Sequence, residues 1–398
     1  MSHQTAEHPP DEGSAKRTSP LPYMPQLDSL RAFAVILVLI HHWVPASLRL
    51  GVNTGRFGVR LFFVLSGFLI TAILLHARKR GEQISYPKPR VMGAFYARRF
   101  LRIFPLYYAT LGVVVVAGLI GYTRADPIIH SLPWHAAYLS NVFYGLINGT
   151  TNMATHFWSL AVEEQFYLVW PWVVVFIPRR YLLASFVTLV VAGPLWRLFA
   201  ISQDWSVFAV RWQVVACLDS LGIGALLALI RFEYNPPESL IRRLRLVTLI
   251  LAVPVLAGTL AWDQIDSVLP AQPAWVVFGD LSGALVFVWL IDWASRGATG
   301  LAGRVLSNPA LLYLGRISYG LYILHIFVQY FIRDALDAAG LHDAVPGPVK
   351  LVVYFAGTVA VASFSWHFFE SRINNFKRYF KYVDPAKVEN RTASTPAD

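Results

Sequence analysis

Cysteine and charge are both scarce in this chain of 398 residues, and each scarcity excludes a class of protein. Cys217 is the single cysteine, so an intrachain disulfide and a cysteine metal cluster are both excluded. Charged residues make up only 14% of the chain and hydrophobic residues 56%, with a mean hydropathy of +0.49. These values lie far outside the range of an ordinary soluble domain and indicate a membrane protein.

Long apolar runs predict the fold class. A scan for stretches of about 20 residues, the length that a helix needs to cross a bilayer, predicts about ten spans. They lie near residues 28–48, 57–76, 100–121, 157–177, 181–200, 213–231, 246–262, 274–293, 309–333 and 348–369. We found no internal repeat and no separate soluble domain. We therefore expect an all-α, polytopic membrane helix bundle of about ten transmembrane helices.

The placement of basic residues predicts the orientation of this bundle. Arginines and lysines, which give the net charge of +11, concentrate in 77–99, 231–245 and the C-terminal tail, whereas 263–273 has none. Because basic loops stay in the cytosol, we expect both termini to be cytosolic. We expect a disordered cytosolic tail over 1–26 without a cleaved signal peptide, a membrane domain over 27–372, and a cytosolic C-terminal tail over 373–398. The charge then reflects topology, and no nucleic-acid partner is expected.

Ionisable residues inside the first predicted span point to a function, since each costs about 2.5–3.5 kcal/mol to insert into a membrane. Arg31 and His42 are eleven residues apart. On a helix this is about 16 Å of rise and about 20° of rotation, so both side chains face one cavity. Asp28, one turn from Arg31, is a potential partner for it. A structural histidine inside the bundle is an equally weighted alternative for His42.

Two adjacent carboxylates stand at the mouth of the fourth predicted span, in the segment HFWSLAVEEQFYLVWP. Glu163 and Glu164 are expected at the depth of His42, where a carboxylate would fix the tautomer of a histidine acting as general base. The structural alternative is that the glutamates partner the helix dipole. His156 and Ser159 share a helical face with Glu163.

Arginines lead into the third predicted span from the cytosolic side. Arg99 and Arg102 share one helical face and would clamp the phosphate groups of a soluble cofactor or a lipid. Ordinary positive-inside flanking explains Arg98 and is the alternative for Arg99.

The ninth predicted span contains the segment LGRISYGLYILH, which again places an arginine before a histidine, as the first span does. Arg316 is expected on the inner side and His325 further outward, although the polar groups there could simply pack between helices. Asp219, Asp280 and Glu370 lie in other spans, and the sequence assigns them no partner beyond a role as counter-ions for arginines.

As a set, these motifs resemble the acyltransferase-3 family of integral membrane acyltransferases over about residues 25–372. The matching motifs are the Arg-x10-His pair Arg31 and His42, FFVLSGFLI at 62–70, the Arg-x-x-Arg pair Arg99 and Arg102, WSLAVEEQFYL at 158–168, and SYGLYILH at 318–325. The resemblance implies a helical bundle that moves an acyl group, most often acetyl from acetyl-CoA, onto a hydroxyl of a carbohydrate outside the cytosol. It also implies that His42 is catalytic.

The residues and the resemblance together give a defined set of expectations. The expected catalytic residues are His42, Glu163, Glu164 and His325. The residues expected to bind the donor, acetyl-CoA or another acyl-CoA, are Arg31, Arg98, Arg99, Arg102 and Arg316. We expect no metal, a carbohydrate or glycoconjugate acceptor, contact with membrane lipid, and a location in the bacterial cytoplasmic (inner) membrane. Homo-oligomerisation is left open.

The sequence departs from the family pattern at two positions, and two other functions remain open. Arg60 stands where members often have an acidic residue, which suggests an anionic donor or acceptor, and Arg372 stands where members often have proline. Many relatives carry an extra extracytoplasmic domain, so we expect this chain to act alone or with a partner protein. One alternative is a proton-coupled transporter or flippase, although no inverted repeat favours it. The other is a glycosyltransferase that uses a lipid-linked sugar.

Overall fold

The structure is a computed structural model that describes residues 21–49, 52–265 and 273–383. In these ranges the chain is helical and contains no β-strand, which confirms the all-α class. Residues 1–20 and 384–398 of the two predicted tails lie outside the described residues. Residues 21–26 are described: the first helix begins at Pro25, and the buried side chain of Gln26 donates to the carbonyl oxygen of Ala298 at 3.0 Å. The side of the membrane on which each terminus lies stays a prediction.

The helices follow one another with short connections. The first eight are α1 (Pro25–Trp43), α2 (Thr54–Gln83), α3 (Lys88–Leu119), α4 (Asp126–His130), α5 (Leu132–Ala136), α6 (Ser140–Ile147), α7 (Phe157–Phe176) and α8 (Arg179–Ser202). The others are α9 (Val207–Arg211), α10 (Val214–Leu229), α11 (Glu238–Ile265), α12 (Pro273–Ser295), α13 (Gly300–Leu306), α14 (Pro309–Arg316), α15 (Ser318–Ala338), α16 (Gly347–Ser365) and α17 (Ser371–Asn374). Turns of π-helix at Ile230–Tyr234 and Trp366–Glu370 extend α10 and join α16 to α17.

Among the described residues, seven helical stretches are long and apolar enough to cross a membrane, which makes the chain a multi-pass membrane protein. The pair α14 and α15, bent by 73°, adds an eighth if it forms one span. α1 and α7, with 19 and 20 residues, fall outside this set because their charged and polar side chains lower the mean hydropathy. Length and composition thus give seven or eight spans, and the expected total of about ten is not confirmed.

α2 lies at the centre of the bundle, where it packs against α1, α7, α10 and α12. Two glycines allow its close crossing with α10. A Cβ atom added to Gly67 would lie 2.0 Å from the carbonyl oxygen of Leu221, and one added to Gly224 would lie 2.0 Å from that of Val64. Small residues at such a crossing let two backbones touch, which is a common way to pack helices in membranes. The crossing also fixes Ser66, the neighbour of Gly67.

The bend between α14 and α15 is held against the first helix. A Cβ atom on Gly315 would lie 1.8 Å from the carbonyl oxygen of Asp28, so a side chain there would separate α14 from α1. Immediately after the bend, α15 begins at Ser318 and carries Tyr322 and His325 into the interior of the bundle. The bend therefore brings the SYGLYILH motif to α1.

Buried acidic residues pair with arginines deep in the bundle. Asp280 accepts hydrogen bonds from Nε of Arg56 at 2.6 Å and from Nη2 of Arg60 at 2.7 Å. Asp219 accepts one from Nη2 of Arg197 at 2.6 Å. These contacts supply the partners that the sequence could not assign to Asp219 and Asp280. Since Asp280 partners Arg60 inside the protein, Arg60 no longer gives a reason to expect an anionic substrate.

The segment between α3 and α7 packs against the side of both helices. The ring of Tyr138 stacks on that of Tyr107 with centroids 4.2 Å apart, and Nε2 of Gln165 donates to the carbonyl oxygen of Tyr138 at 2.8 Å. The hydroxyl of Tyr107 donates to the carbonyl oxygen of His135 at 2.8 Å. Burial lowers the pKa of His135 to about 4, so this ring is neutral at physiological pH and serves the packing of the segment.

Candidate active site

A cavity of about 320 Å³ lies between α1, α2, α3, α7 and α15. We call it the arginine cavity because basic side chains dominate its polar lining. Those basic residues are Arg31, Arg98, Arg99, Arg102 and Lys377. Four of the five donor-binding arginines expected from the sequence therefore meet at one site.

Arg99 and Arg102 lie against aromatic rings. The guanidinium carbon of Arg99 is 5.4 Å from the centroid of the Tyr167 ring, and that of Arg102 is 5.3 Å from the centroid of the Trp366 ring. Within the described ranges, neither arginine forms an ion pair with a carboxylate. Cation–π contact stabilises a guanidinium but does not neutralise it. Both arginines are therefore suited to receive an anion, whereas Arg31 is already paired with Asp28.

Arg98 lines the same cavity and also holds the end of the chain. Its Nη1 donates to the carbonyl oxygens of Lys377 at 2.8 Å and of Phe380 at 3.2 Å, and its guanidinium carbon is 5.3 Å from the ring centroid of Tyr382. Burial raises the pKa of the Tyr382 hydroxyl, so this ring stays neutral beneath the arginine. Arg98 thus anchors the residues that follow α17.

Glu163 and Glu164 also line the arginine cavity. Oε1 of Glu163 accepts a hydrogen bond from Oγ of Ser66 at 2.7 Å, because this face of α7 is turned toward α2. In the part of the chain that the structure describes, no hydrogen bond joins either glutamate to His42. The expected carboxylate–histidine contact is therefore absent from this structure, since equal depth in the membrane does not make two helices present their side chains to each other. A catalytic role for the glutamates stays a prediction.

A second cavity, of about 150 Å³, lies where α1 ends and α2 begins. We call it the histidine cavity because His41, His42 and His156 line it. Trp158 and Trp212, which also line it, stack with their ring centroids 4.9 Å apart and an interplanar angle of 6°. The cavity therefore has an aromatic wall in addition to its histidines.

The hydrogen bonds around His42 define its tautomer. Nδ1 of His42 lies 3.1 Å from the carbonyl oxygen of Val38 and 3.0 Å from Nε2 of His325. Nδ1 of His325 lies 2.6 Å from the carbonyl oxygen of Tyr322. Because a carbonyl oxygen only accepts, both Nδ1 atoms carry the proton and Nε2 of His325 accepts from His42.

This arrangement leaves Nε2 of His42 unprotonated. Among the described residues it has no hydrogen-bond partner, while the ring lines the histidine cavity. A neutral imidazole with a free Nε2 lone pair is the form that a general base requires. His325 is fully buried, and its Nε2 lies beside Nδ1 of His42, where the sequence had predicted a carboxylate.

The other two histidines are held in different ways. Nδ1 of His41 lies 2.7 Å from Nη1 of Arg49, and a Cβ atom on Gly55 would be only 2.6 Å from Cγ of His41, so this ring packs tightly on α2. Nε2 of His156 donates to the carbonyl oxygen of Ile323 at 3.0 Å. His156 is buried and its ring centroid is 4.8 Å from that of His325. We infer that the ring of His156 packs against that of His325 and helps to hold it in place.

Val59 and Tyr322 line both cavities. The hydroxyl of Tyr322 is 2.5 Å from Oγ of Ser159 and donates to the carbonyl oxygen of His156 at 3.0 Å. The arginine cavity and the histidine cavity are therefore adjacent and share two lining side chains.

One residue predicted to bind the donor lies outside both cavities, and two lining residues come from the predicted C-terminal tail. Arg316, at the end of α14, is exposed and lines neither cavity, because the bend that follows it turns away from the arginines. Lys377 and Tyr382 line the arginine cavity although the sequence placed them in a tail. The lysine was visible in the sequence, but positive-inside flanking accounted for it equally well. In the ranges described, no three His, Cys, Asp or Glu side chains are arranged to hold a metal ion.

Comparison with known proteins gives one family and a group of relatives. The sequence model of the acyltransferase-3 family, described as an acyltransferase domain, matches residues 24–367. The peptidoglycan O-acetyltransferase OatA of Listeria monocytogenes is 28% identical over 383 residues, which cover 90% of this chain and 57% of that protein. The O-acetyltransferase OatA of Staphylococcus aureus (strain NCTC 8325 / PS 47) is 29% identical over 381 residues, which cover 90% of this chain and 58% of that protein.

The chain thus spans a little over half the length of these relatives. No solved structure matches it.

Proposed function

Since the chain belongs to the acyltransferase-3 family, we propose that it is an O-acyltransferase that uses acyl-CoA, foremost acetyl-CoA, as donor. The acceptor in this proposal is a hydroxyl of an extracytoplasmic carbohydrate or glycoconjugate, as the name of the Listeria relative suggests for that protein. The enzyme would act in the bacterial cytoplasmic membrane. The observation that carries the proposal is the adjacency of an arginine cavity and a histidine cavity that share Val59 and Tyr322.

The arginine cavity is assigned to the donor. Arg99 and Arg102 have no carboxylate partner among the described residues, and guanidinium groups bind phosphate oxygens through paired hydrogen bonds. Acyl-CoA presents phosphate groups at one end and a thioester at the end of a long arm. With its phosphates on these arginines, the arm extends past Arg31 along the polar lining of α1.

The histidine cavity is assigned to the acceptor and the base. Nε2 of His42 takes the proton from the acceptor hydroxyl as the oxygen attacks the acyl carbon. A new ester bond forms, the carbon–sulfur bond breaks, and the proton passes from His42 to the departing thiolate, so that CoA leaves as the thiol. Direct transfer is the simplest course, and Ser66, Ser159 and His42 remain the candidates for an acyl carrier.

The glutamates are assigned to the donor half of the site. Glu163 and Glu164 line the same cavity as the arginines and offset part of their charge. Ser66 of α2, which donates a hydrogen bond to Glu163, lines the same cavity. In this assignment the glutamates limit how tightly the phosphates are held, so that CoA can be released.

Transfer of label from acetyl-CoA tests the proposal. The full chain is reconstituted in proteoliposomes with acetyl-CoA labelled in the acetyl group and supplied on one side. Hydrolysis of the thioester, or transfer of label to an added carbohydrate, is the expected result. Accumulation of a solute without cleavage of the thioester would instead support a proton-coupled transporter, and the absence of any reaction or binding would reject the donor.

A further inference from the structure

The chain that follows α16 returns to the arginine cavity. Residues 375–379 form a 3-10 turn, and Tyr382 is only 4% exposed. The region matched by the family model ends at residue 367, so this return lies beyond it. We call residues 375–383 the C-terminal segment.

The side chain of Lys377 lines the arginine cavity with Arg99 and Arg102. Within the described ranges, Lys377 forms no ion pair with a carboxylate, and the same is true of the two arginines. Glu370, on the turn before α17, accepts a hydrogen bond from Ser365 at 3.0 Å and forms no ion pair with any of the three cations. The end of the cavity therefore gathers three basic groups, and none of them forms an ion pair with a carboxylate among the described residues.

The backbone of the C-terminal segment is held beside Arg99, Arg102 and Lys377. Nη1 of Arg98 donates to the carbonyl oxygens of Lys377 and Phe380, and the Tyr382 ring packs beneath the same guanidinium. Like charges in a partly buried site repel one another, so their close placement costs free energy unless an anion joins them. The hydrogen bonds from Arg98 hold the backbone of Lys377 beside the cavity in spite of that repulsion.

We propose that Lys377 completes, with Arg99 and Arg102, a three-cation site for the phosphate groups of the acyl donor. The C-terminal segment forms the wall of this site. The proposal rests on the donor assignment made above and adds a binding residue outside the matched family region. The ammonium group supplies a mobile point charge, whereas the two guanidinium groups supply planar, paired donors, and together they suit a group that carries more than one phosphate.

Titration of the full-length, detergent-purified chain with CoA tests the proposal by calorimetry. Lys377→Ala should weaken CoA binding by about 10- to 100-fold, the range expected for loss of one hydrogen bond to a charged group. Lys377→Arg keeps the charge and should retain most of the affinity. Arg378→Ala is the matched control, since Arg378 is the next residue, carries the same charge, is exposed and contacts Tyr379 instead of the cavity.

A second ligand separates binding from a general structural effect. Acetyl-pantetheine has the arm and the thioester of acetyl-CoA but lacks the nucleotide phosphates, so its affinity should be unchanged in Lys377→Ala. If Lys377→Ala weakened the binding of CoA and of acetyl-pantetheine equally, the site would have collapsed and the proposal would be overturned. If the alanine variant does not fold, Lys377→Gln replaces it, since glutamine keeps a long side chain without the charge. Its affinities for CoA and for acetyl-pantetheine are then compared in the same way.

The outcomes distinguish this inference from the proposed function. If the wild-type chain fails to bind CoA, the donor assignment fails and the inference fails with it. Equal CoA affinity in wild type and Lys377→Ala overturns the inference alone. An anionic lipid is the other source of phosphate, so thermal unfolding is also measured with phosphatidylglycerol. Stabilisation by that lipid that depends on Lys377, without any effect of Lys377 on CoA, would assign the site to a lipid headgroup and reject the proposal.

Discussion

His42 and His325 are 283 residues apart in the chain, and their facing ring nitrogens are 3.0 Å apart in the structure. The pair joins the Arg-x10-His motif of α1 to the SYGLYILH motif of α15. Because His325 is also bonded to the carbonyl oxygen of Tyr322, the direction of every hydrogen bond in the pair is determined. Two motifs that look independent in the sequence therefore form one unit around a single free nitrogen, Nε2 of His42.

Removal of this nitrogen should abolish transfer. We expect His42→Ala to lower kcat by at least 10²- to 10⁴-fold, the usual contribution of a general base, while the protein inserts and folds normally. Acetyl transfer by the reconstituted chain measures the effect. His367→Ala is the control, since His367 is exposed and bonded to the carbonyl oxygen of Ser363. Wild-type turnover in His42→Ala would remove His42 from the mechanism.

His325 should act by positioning His42. We expect His325→Ala to lower kcat by about 10- to 100-fold, as loss of an orienting partner typically does, with little change in KM for the donor. His325→Gln offers a carbonyl oxygen to Nδ1 of His42 and should recover part of the rate. The kcat and KM of both variants are compared. A loss that appears in KM alone, or no recovery by glutamine, would contradict an orienting function.

Arg102 and Arg316 provide a matched pair for the donor site. Arg102 lines the arginine cavity against Trp366, whereas Arg316 is exposed outside it. We expect Arg102→Ala to weaken CoA binding by about 10- to 100-fold, because a charge-assisted hydrogen bond is lost, and Arg316→Ala to leave it unchanged. Calorimetric titration measures both. Equal affinities in the two variants would place the phosphates elsewhere.

The crossing of α2 and α10 should be intolerant of any side chain. We expect Gly67→Ala to lower the free energy of unfolding by about 1–3 kcal/mol or more, since its Cβ atom would overlap the carbonyl oxygen of Leu221. Gly112→Ala is the control, because no atom lies within 4 Å of a Cβ atom added there. The midpoint of thermal unfolding in detergent compares them, and equal midpoints would show that the helices can separate without cost.

The sequence predicted features that depend on one helix at a time. The shared face of Arg99 and Arg102 follows from helical spacing, and Arg31 lines the arginine cavity with them. The prediction that Arg31 and His42 face one cavity was wrong, because the rise of about 16 Å that separates them along α1 places His42 in the histidine cavity. The all-α class and several long spans follow from hydropathy. α1 and α7 show the limit of that criterion, since the polar residues that signal function also lower the hydropathy by which spans are recognised.

Features that depend on the rotation of one helix against another could not be predicted. The sequence placed Glu163 at the depth of His42, but the packing of α7 turns this carboxylate toward Ser66. The contact between His42 and His325 and the bend that permits it arise from the packing of Gly315 against Asp28. The return of Lys377 to the cavity likewise depends on contacts with Arg98 that no periodicity reveals.

The two side chains shared by the cavities have a physiological consequence. A continuous aqueous passage through this bundle would conduct protons and dissipate the electrochemical gradient across the membrane. Val59 adds an apolar side chain to both linings, and Tyr322 is held by Ser159, so that in the proposed reaction this point would need to admit only the slender arm of the donor. Under the proposed function, the acyl group would then reach the acceptor while the membrane stays closed to protons.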